Sequence, residues 1–172
     1  EERGIMLKAF DVKSLKVFDS GNYSVMCFHE DLVEHDYIAD ASVFEGKLDA
    51  VFNVIRKHFP EEKVAFKYHP GSPESKTAVP FGSRLPDFIP AEFLYDEKIK
   101  MYLGISTMAL ANVETGIAVS LIDMVNFKDD TIRAQLKEAL IKWSHSKIRF
   151  PQSLDEFERI LIDIKNHNLE EV

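Results

Sequence analysis

Two patterns of apolar residues alternate along the chain: short uninterrupted runs, and longer segments in which apolar residues recur every three or four positions. The runs are typical of buried strands, and the recurring positions are typical of amphipathic helices. Strands are predicted at residues 23–28, 63–68, 87–89, 101–105 and 118–122, with a last short strand at 147–150. Helices are predicted at residues 47–58, 91–95 and 107–113, followed by two near the end of the chain. This alternation predicts a Rossmann-like α/β sandwich of three layers, with a mainly parallel sheet covered on both faces.

The last two helices are predicted from capping residues as well as from apolar positions. Asp129 or Asp130 can cap the first, and Ser153 with Glu156 matches a capping box for the second. The positions predicted to face inward are Ile132, Leu136, Leu140 and Trp143 in the first helix, and Leu154, Phe157, Leu161 and Ile164 in the second. Residues 71–84 are rich in Gly, Pro and Ser, which is typical of a long mobile loop.

The length of 172 residues predicts a single domain with a full core, preceded by a lead-in segment at residues 1–22. The chain opens with Glu1 and has no signal-peptide pattern, so it is expected to be a piece of a longer protein. The one cysteine, Cys27, lies in an apolar run, which excludes an internal disulfide and favours a reducing compartment. No run of about 20 apolar residues could span a membrane. A cytoplasmic protein without a transmembrane segment is therefore expected.

The charge of the chain narrows the class of ligand. The net charge is −8, the isoelectric point is about 5.3, and no cluster of basic residues is present. Nucleic-acid binding through the phosphate backbone is not expected, because it needs a basic surface. A small ligand with one phosphate needs only a few local donors, so that class stays open.

Polar residues follow two of the predicted strands. The motif Lys67-Tyr68-His69-Pro70-Gly71 follows the apolar residues 64–66, and Gly104-Ile105-Ser106-Thr107 follows residues 101–103. Open parallel sheets bind their ligands at the carboxyl ends of strands. We therefore expect His69, Ser106 and Thr107 to converge on one nucleotide phosphate.

Each of these residues also has an ordinary structural interpretation. Ser106 or Thr107 can cap a following helix without binding any ligand. His69 can be a loop histidine that bonds to water or to a carbonyl group, or, when protonated, it can neutralise a phosphate. Only the joint position of the residues at strand ends favours a phosphate site over these alternatives.

Histidines and carboxylates are concentrated after the first predicted strand, at His29-Glu30-Asp31 and Glu34-His35-Asp36. The spacing from His29 to His35 fits no common pattern of metal ligands, and no third ligand is anchored near them. The sequence therefore predicts a solvated acidic loop at the mouth of the crevice and no metal site.

Three segments together resemble a known enzyme family. FKYHPGS, IPAEFLY and MYLGISTMAL are similar to the donor-binding, C-terminal half of bacterial sialyltransferases of the lipooligosaccharide sialyltransferase and capsular polysialyltransferase type. These are two-domain enzymes of the GT-B fold with a His-Pro motif and a Ser-Ser or Ser-Thr motif. The motifs map onto His69-Pro70 and Ser106-Thr107, and the resemblance covers roughly residues 25–125.

The resemblance implies binding of CMP-sialic acid and its inverting, metal-independent transfer to a hydroxyl of a glycan acceptor. It implies that His69, with Pro70 beside it, contacts the CMP phosphate and assists the leaving group. Ser106 and Thr107 would hold the same phosphate, and Glu92 would accept a hydrogen bond from the ribose. A location at the inner face of the bacterial membrane would fit such an enzyme.

The chain departs from the family in one respect. The family carries its general base in an acidic motif of the N-terminal Rossmann domain, and the nearest match here, Asp19-Ser20-Gly21, has only one carboxylate. A missing N-terminal domain or a partner chain is therefore expected to supply the base. Two alternatives remain open: a transferase domain for CMP-Kdo or a CDP-linked capsule precursor, and a non-catalytic Rossmann-like binding domain.

Overall fold

A five-stranded sheet forms the centre of the computed structural model, which describes residues 23–30, 32–69, 81–144 and 148–166. The strands are β1 (Val25–His29), β2 (Val64–Tyr68), β3 (Ser83–Arg84), β4 (Met101–Gly104) and β5 (Ile117–Ser120). Every pairing between these strands is parallel, and their order across the sheet is β3-β2-β1-β4-β5. The prediction of a parallel sheet is confirmed.

The sheet has one point at which its strand order reverses. β1 pairs with β2 on one side and with β4 on the other, so successive strands are added in opposite directions from β1. In open α/β sheets, the crevice at the carboxyl ends of such strands is the usual place for a ligand. The candidate site therefore lies where β1, β2 and β4 end.

Helices cover both faces of the sheet, as predicted. On one face, α1 (Ala41–His58) packs against α3 (Leu154–Asn166) and against the side chains of Val25 and Cys27. The other face carries Met26 and Phe28, and its covering elements are the 3₁₀ helices Ala91–Phe93 and Met108–Asn112 and the helix α2 (Asp130–Trp143). Successive strand residues point to opposite faces, so continuous apolar runs are needed to bury both sides.

Capping residues determine where the three α-helices begin. The Asp40 side chain accepts a hydrogen bond from Val43 N at 3.0 Å, so α1 begins six residues earlier than predicted. Asp129, not Asp130, caps α2 by accepting from Thr131 N at 2.7 Å. The predicted capping box of α3 is confirmed: Ser153 Oγ accepts from Glu156 N at 3.2 Å. The Glu156 carboxylate reaches back to the N–H of Gln152 at 2.9 Å.

Several predictions for the peripheral segments were wrong. Residues 87–89 form a turn rather than a strand, because Pro86 and Pro90 flank them and proline has no N–H to donate to a sheet. The predicted loop at 71–84 ends in β3, which pairs with Ala65 and Phe66; residues 71–80 lie outside the described residues. The segments 91–95 and 107–113 are helical as predicted, over the shorter ranges Ala91–Phe93 and Met108–Asn112, and both helices are of the 3₁₀ type.

The inward positions of the last two helices are only partly as predicted. Leu140 is fully buried in α2, whereas Trp143 is 60% exposed. Among the described elements, the main contact of α2 is with the short 3₁₀ helix Met108–Asn112. In α3, Phe157, Leu161 and Ile164 are buried as predicted, but Leu154, at the first position, is exposed.

One described segment near the end of the chain touches the sheet edge. The predicted strand at 147–150 is reduced to one parallel bridge between Arg149 and Val119, and Lys147 lies outside the described residues. The lead-in segment 1–22 also lies outside them. None of the described helices is long and apolar enough to cross a membrane.

Candidate functional site

The carboxyl ends of β1 and β4 meet in the crevice where the strand order reverses. Glu30 directly follows β1, and Ile105 and Ser106 directly follow β4. The two strands are adjacent and parallel, with Cys27 of β1 opposite Leu103 of β4. The side chain of Glu30 can therefore reach the turn after β4, although 75 residues of sequence separate it from Ile105.

The carboxylate of Glu30 is bound to this turn through both of its oxygens. Oε1 accepts hydrogen bonds from Ile105 N at 2.8 Å and Ser106 N at 2.9 Å. Oε2 accepts from Ser106 N at 3.0 Å and from the Ser106 hydroxyl at 2.5 Å. The turn after β4 is thus a set of anion-binding donors, as the sequence suggested, and the anion it holds is a side chain of the same protein.

The environment of Glu30 corrects the prediction of a solvated acidic loop. Glu34, His35 and Asp36 are exposed, as expected, but Glu30 is partly buried. Burial raises the pKa of Glu30, and the hydrogen bonds from Ser106 and Ile105 act in the opposite direction. Asp31 lies outside the described residues.

Two small or hydroxylated residues shape the turn that holds Glu30. A Cβ atom on Gly104 would lie 2.7 Å from Cγ2 of Thr107 and 3.5 Å from Oε1 of Glu30, so a larger residue would force the side chain of Thr107 to shift. Ser120, at the end of β5, donates its hydroxyl to the carbonyl of Ile105 at 2.5 Å. Sequence reasoning missed Ser120; it is one of the two buried polar or charged side chains in the described part of the chain.

The structure separates the roles of the two adjacent hydroxyl residues. Thr107 caps the 3₁₀ helix Met108–Asn112, with its Oγ1 accepting a hydrogen bond from Ala109 N at 3.3 Å. Ser106 makes no such cap bond and instead donates to Glu30. The capping interpretation is therefore confirmed for Thr107, whereas the hydroxyl of Ser106 is bound to Glu30, and its binding of a phosphate stays a prediction.

A pocket of about 70 Å³ lies beside Glu30, between the ends of β1 and β2. Its walls include His29, Glu30, Lys67, His69 and Thr107. The structure thus brings His69 and Thr107 together, as the two strand-end motifs suggested. It also adds a second imidazole, from His29, and an ammonium group, from Lys67.

Lys67 is a stronger feature of the site than its position in a strand suggested. Its side chain is only 4% exposed, and its Nζ donates to the carbonyl of Tyr68 and to that of Asp87 at 2.9 Å. Burial lowers the pKa of Lys67, whereas the carboxylates of Asp87 and Glu92 raise it. The amine therefore ties β2 to the turn at 87–89 and places positive charge next to the pocket.

Aromatic stacking orients the second imidazole. The ring of His29 stacks on that of Tyr68 at a centroid distance of 4.6 Å, and the guanidinium of Arg84 lies 4.3 Å from the Tyr68 centroid. His29 and Tyr68 are opposite each other in the β1–β2 pairing. This stack was not predicted, because its three members are far apart in the sequence.

Two other predicted site residues are less informative. Glu92 is exposed on the 3₁₀ helix Ala91–Phe93, and the residue of that helix that lines the pocket is Ala91. Pro70 lies outside the described residues. Across the described ranges, no group of three or more His, Cys, Asp or Glu side chains is arranged to hold a metal ion.

A larger pocket, of about 340 Å³, lies at the opposite edge of the sheet. Lys100 and Ile117, at the amino ends of β4 and β5, line it together with Arg149 and Asp163. Basic and acidic side chains both line this pocket, and Nη1 of Arg149 lies 3.9 Å from Oδ2 of Asp163. The smaller pocket at the carboxyl ends brings two imidazoles and the amine of Lys67 together, so we place the candidate site there.

Comparisons with known proteins leave the site to be interpreted from its own geometry. No protein-family model, no curated protein and no solved structure matches the chain.

Proposed function

We propose that the chain is the donor-binding domain of a nucleotide-sugar glycosyltransferase, and that it binds a CMP-linked acidic sugar such as CMP-sialic acid. The donor would lie in the crevice at the carboxyl ends of β1, β2 and β4. The observation that carries the proposal is the convergence of His69, Lys67 and Thr107 on one pocket at the point where the strand order reverses.

The chemistry of the pocket fits a phosphate leaving group. When the bond between the sugar and CMP breaks, negative charge grows on the phosphate oxygens. Donors and cations fixed in advance stabilise that charge most strongly in the transition state. In this proposal His69 donates to the leaving phosphate, and the ammonium of Lys67 contributes a positive field from inside the protein.

The acceptor side of the reaction needs a general base that takes a proton from the glycan hydroxyl. Both oxygens of Glu30 already accept hydrogen bonds from the turn after β4, so Glu30 is not placed to take that proton. The proposal therefore assigns donor binding to this chain and the base to a second domain or a partner chain.

A non-catalytic binding domain is a second candidate, and one observation favours it. The N–H and the hydroxyl of Ser106, which a phosphate would use, already donate to Glu30. In a non-catalytic domain, Glu30 could keep these hydrogen bonds at all times.

Calorimetry with CMP and cytidine separates the two candidates. The phosphate should strengthen binding, because each charge-assisted hydrogen bond contributes about 1.5–3 kcal/mol. We expect CMP to bind at least about tenfold more tightly than cytidine, which corresponds to about 1.4 kcal/mol.

Single substitutions locate the phosphate. His69→Ala should weaken CMP binding and leave cytidine binding unchanged, because only the phosphate would contact His69. His35→Ala is the matched control, since His35 is an exposed histidine of the loop after β1. Equal affinities of the unmodified chain for CMP and cytidine would contradict the proposed function.

A further inference from the structure

We infer that Glu30 determines whether the crevice accepts an anionic group: its carboxylate stands where a phosphate of the ligand would bind, and the ligand binds there by displacing it. This inference rests on the proposed function for the identity of the ligand. It concerns Glu30 and the turn after β4, which sequence reasoning did not connect.

The first argument is the completeness of the contact. The N–H groups of Ile105 and Ser106 and the hydroxyl of Ser106 all point at the two oxygens of Glu30. All three donors belong to the turn after β4, and the backbone N–H of Thr107 in the same turn also acts on this carboxylate. A phosphate cannot share them with a carboxylate, because the two anions would compete for the same hydrogen atoms and repel each other.

The second argument is that displacement is mechanically simple. Glu30 lies immediately after β1 rather than within it, and its side chain is only partly buried. Rotation about the bonds of its side chain can withdraw the carboxylate without moving a strand. The donors themselves stay in place, because the hydroxyl of Ser120 holds the carbonyl of Ile105.

The third argument concerns selectivity. An ammonium and two imidazoles, from Lys67, His29 and His69, line the adjoining pocket and favour an anion there. The carboxylate of Glu30 offsets part of that preference while it remains at the turn. Only a ligand whose anionic group bonds better to the turn than Glu30 does will open the crevice fully.

The size of the effect follows from the fraction of time that the donors are open. A site whose competent state is populated about 1–10% of the time binds its ligand about ten- to a hundredfold more weakly than the open site does. Glu30→Ala removes the competing carboxylate. We expect it to tighten the binding of inorganic phosphate by about ten- to a hundredfold.

The experiment titrates inorganic phosphate into the ¹⁵N-labelled chain and follows the amide signals of Ile105 and Ser106. The variants are Glu30→Ala, Ser106→Ala and the double variant, with Glu34→Ala as the control that removes an exposed carboxylate of the neighbouring loop. Glu30→Gln keeps the size of the side chain, and it replaces Glu30→Ala if that variant does not fold. It should show a smaller gain, because the amide oxygen of glutamine can still accept from the turn.

The inference is supported if Glu30→Ala binds phosphate more tightly, phosphate then shifts the amide signals of Ile105 and Ser106, and part of the gain is lost when Ser106→Ala removes one of the three donors. An unchanged phosphate affinity in Glu30→Ala or Glu30→Gln would overturn it. An equal gain in Glu34→Ala, or a gain that Ser106→Ala leaves entirely unchanged, would also overturn it, since simple charge repulsion would then suffice.

The same variants separate this inference from the proposed function. CMP and cytidine are titrated into Glu30→Ala alongside phosphate. Tighter phosphate binding without any preference for CMP over cytidine would support the role of Glu30 and contradict the nucleotide ligand. A preference for CMP that does not depend on Glu30 would do the reverse.

Discussion

The hydrogen bond between Ser106 and Glu30 should appear as an energetic coupling in the stability of the protein. The hydroxyl of Ser106 donates to Oε2 of Glu30 at 2.5 Å, which is within the range of a charge-assisted bond. The perturbation is a double-mutant cycle made of Ser106→Ala, Glu30→Ala and the variant with both changes. Such a cycle isolates the interaction of the two side chains from their other contacts.

The magnitudes follow from which partners each change leaves behind. Ser106→Ala removes one bond to a charged acceptor, which contributes about 1.5–3 kcal/mol, while Oε2 keeps the N–H of Ser106 at 3.0 Å. Glu30→Ala deprives three donors of their acceptor. It should cost about 2–4 kcal/mol, since an unpaired donor costs about 1–3 kcal/mol and water in the adjoining pocket can satisfy part of the loss.

The double variant should be less stable than Glu30→Ala by at most a few tenths of a kcal/mol. The reason is that the hydroxyl of Ser106 has already lost its acceptor in Glu30→Ala. The expected coupling is therefore about 1.5 kcal/mol. The assay is urea unfolding at pH 8. The slope of the unfolding free energy against urea concentration must be the same for all variants, so that their free energies can be compared. The matched control pairs Glu30→Ala with Ser153→Ala, which removes the hydroxyl that caps α3.

The control pair should be additive, because Ser153 and Glu30 share no partner. A coupling below about 0.5 kcal/mol between Glu30 and Ser106 would refute the reasoning, since that is the usual scatter for independent sites. It would mean that the hydrogen bond from the hydroxyl of Ser106 to the Glu30 carboxylate does not contribute to stability in solution.

Two further predictions test the surroundings of the site. Burial raises the pKa of Glu30, so the stability that this group contributes is present below the usual pKa of a carboxyl group and is lost as the pH rises through the folded-state pKa. Urea unfolding at pH 4, 6 and 8 should therefore show Glu30→Gln gaining stability relative to the unmodified chain as the pH rises, and a constant difference would contradict this. Gly116→Ala should lower the free energy of unfolding by about 2–4 kcal/mol, because Gly116 has a φ of +78° and a Cβ atom would lie 2.5 Å from the carbonyl oxygen of Ile99. Gly46→Ala is its control, and both variants are compared with the unmodified chain in thermal melts. Nothing lies within 4 Å of a Cβ atom added at Gly46 in α1, so this change should stabilise the protein by about 0.5–1 kcal/mol. Equal melting temperatures for the two variants would contradict the tight turn at Gly116.

Much of the fold was predictable because it depends on local patterns. Continuous apolar runs identified β1, β2, β4 and β5 to within two residues, since a strand in a parallel sheet must be apolar on both faces. Local side-chain bonds also identified the starts of α2 and α3. The start of α1 was missed because Asp40 precedes a first turn that buries only Phe44, so the apolar pattern begins later than the helix does.

The candidate site was predictable only in part. His69 and Thr107 were expected at one edge of the sheet, because parallel strands present their carboxyl ends together, and they do line one pocket. Glu30 was misread as a solvated residue, since three acidic residues and two histidines lie within seven positions of it. Nothing in that local composition distinguishes a carboxylate that points at a turn 75 residues away.

The sequence by itself therefore determined the elements, the parallel sheet and the kinds of group at its carboxyl edge, because these depend on residues that are neighbours in the chain. Only the tertiary structure decided which groups face one another. The order β3-β2-β1-β4-β5 places β1 beside β4 and so brings Glu30 to the donors of Ile105 and Ser106. Partners of this kind are chosen by strand order and packing, which join residues that no local pattern connects.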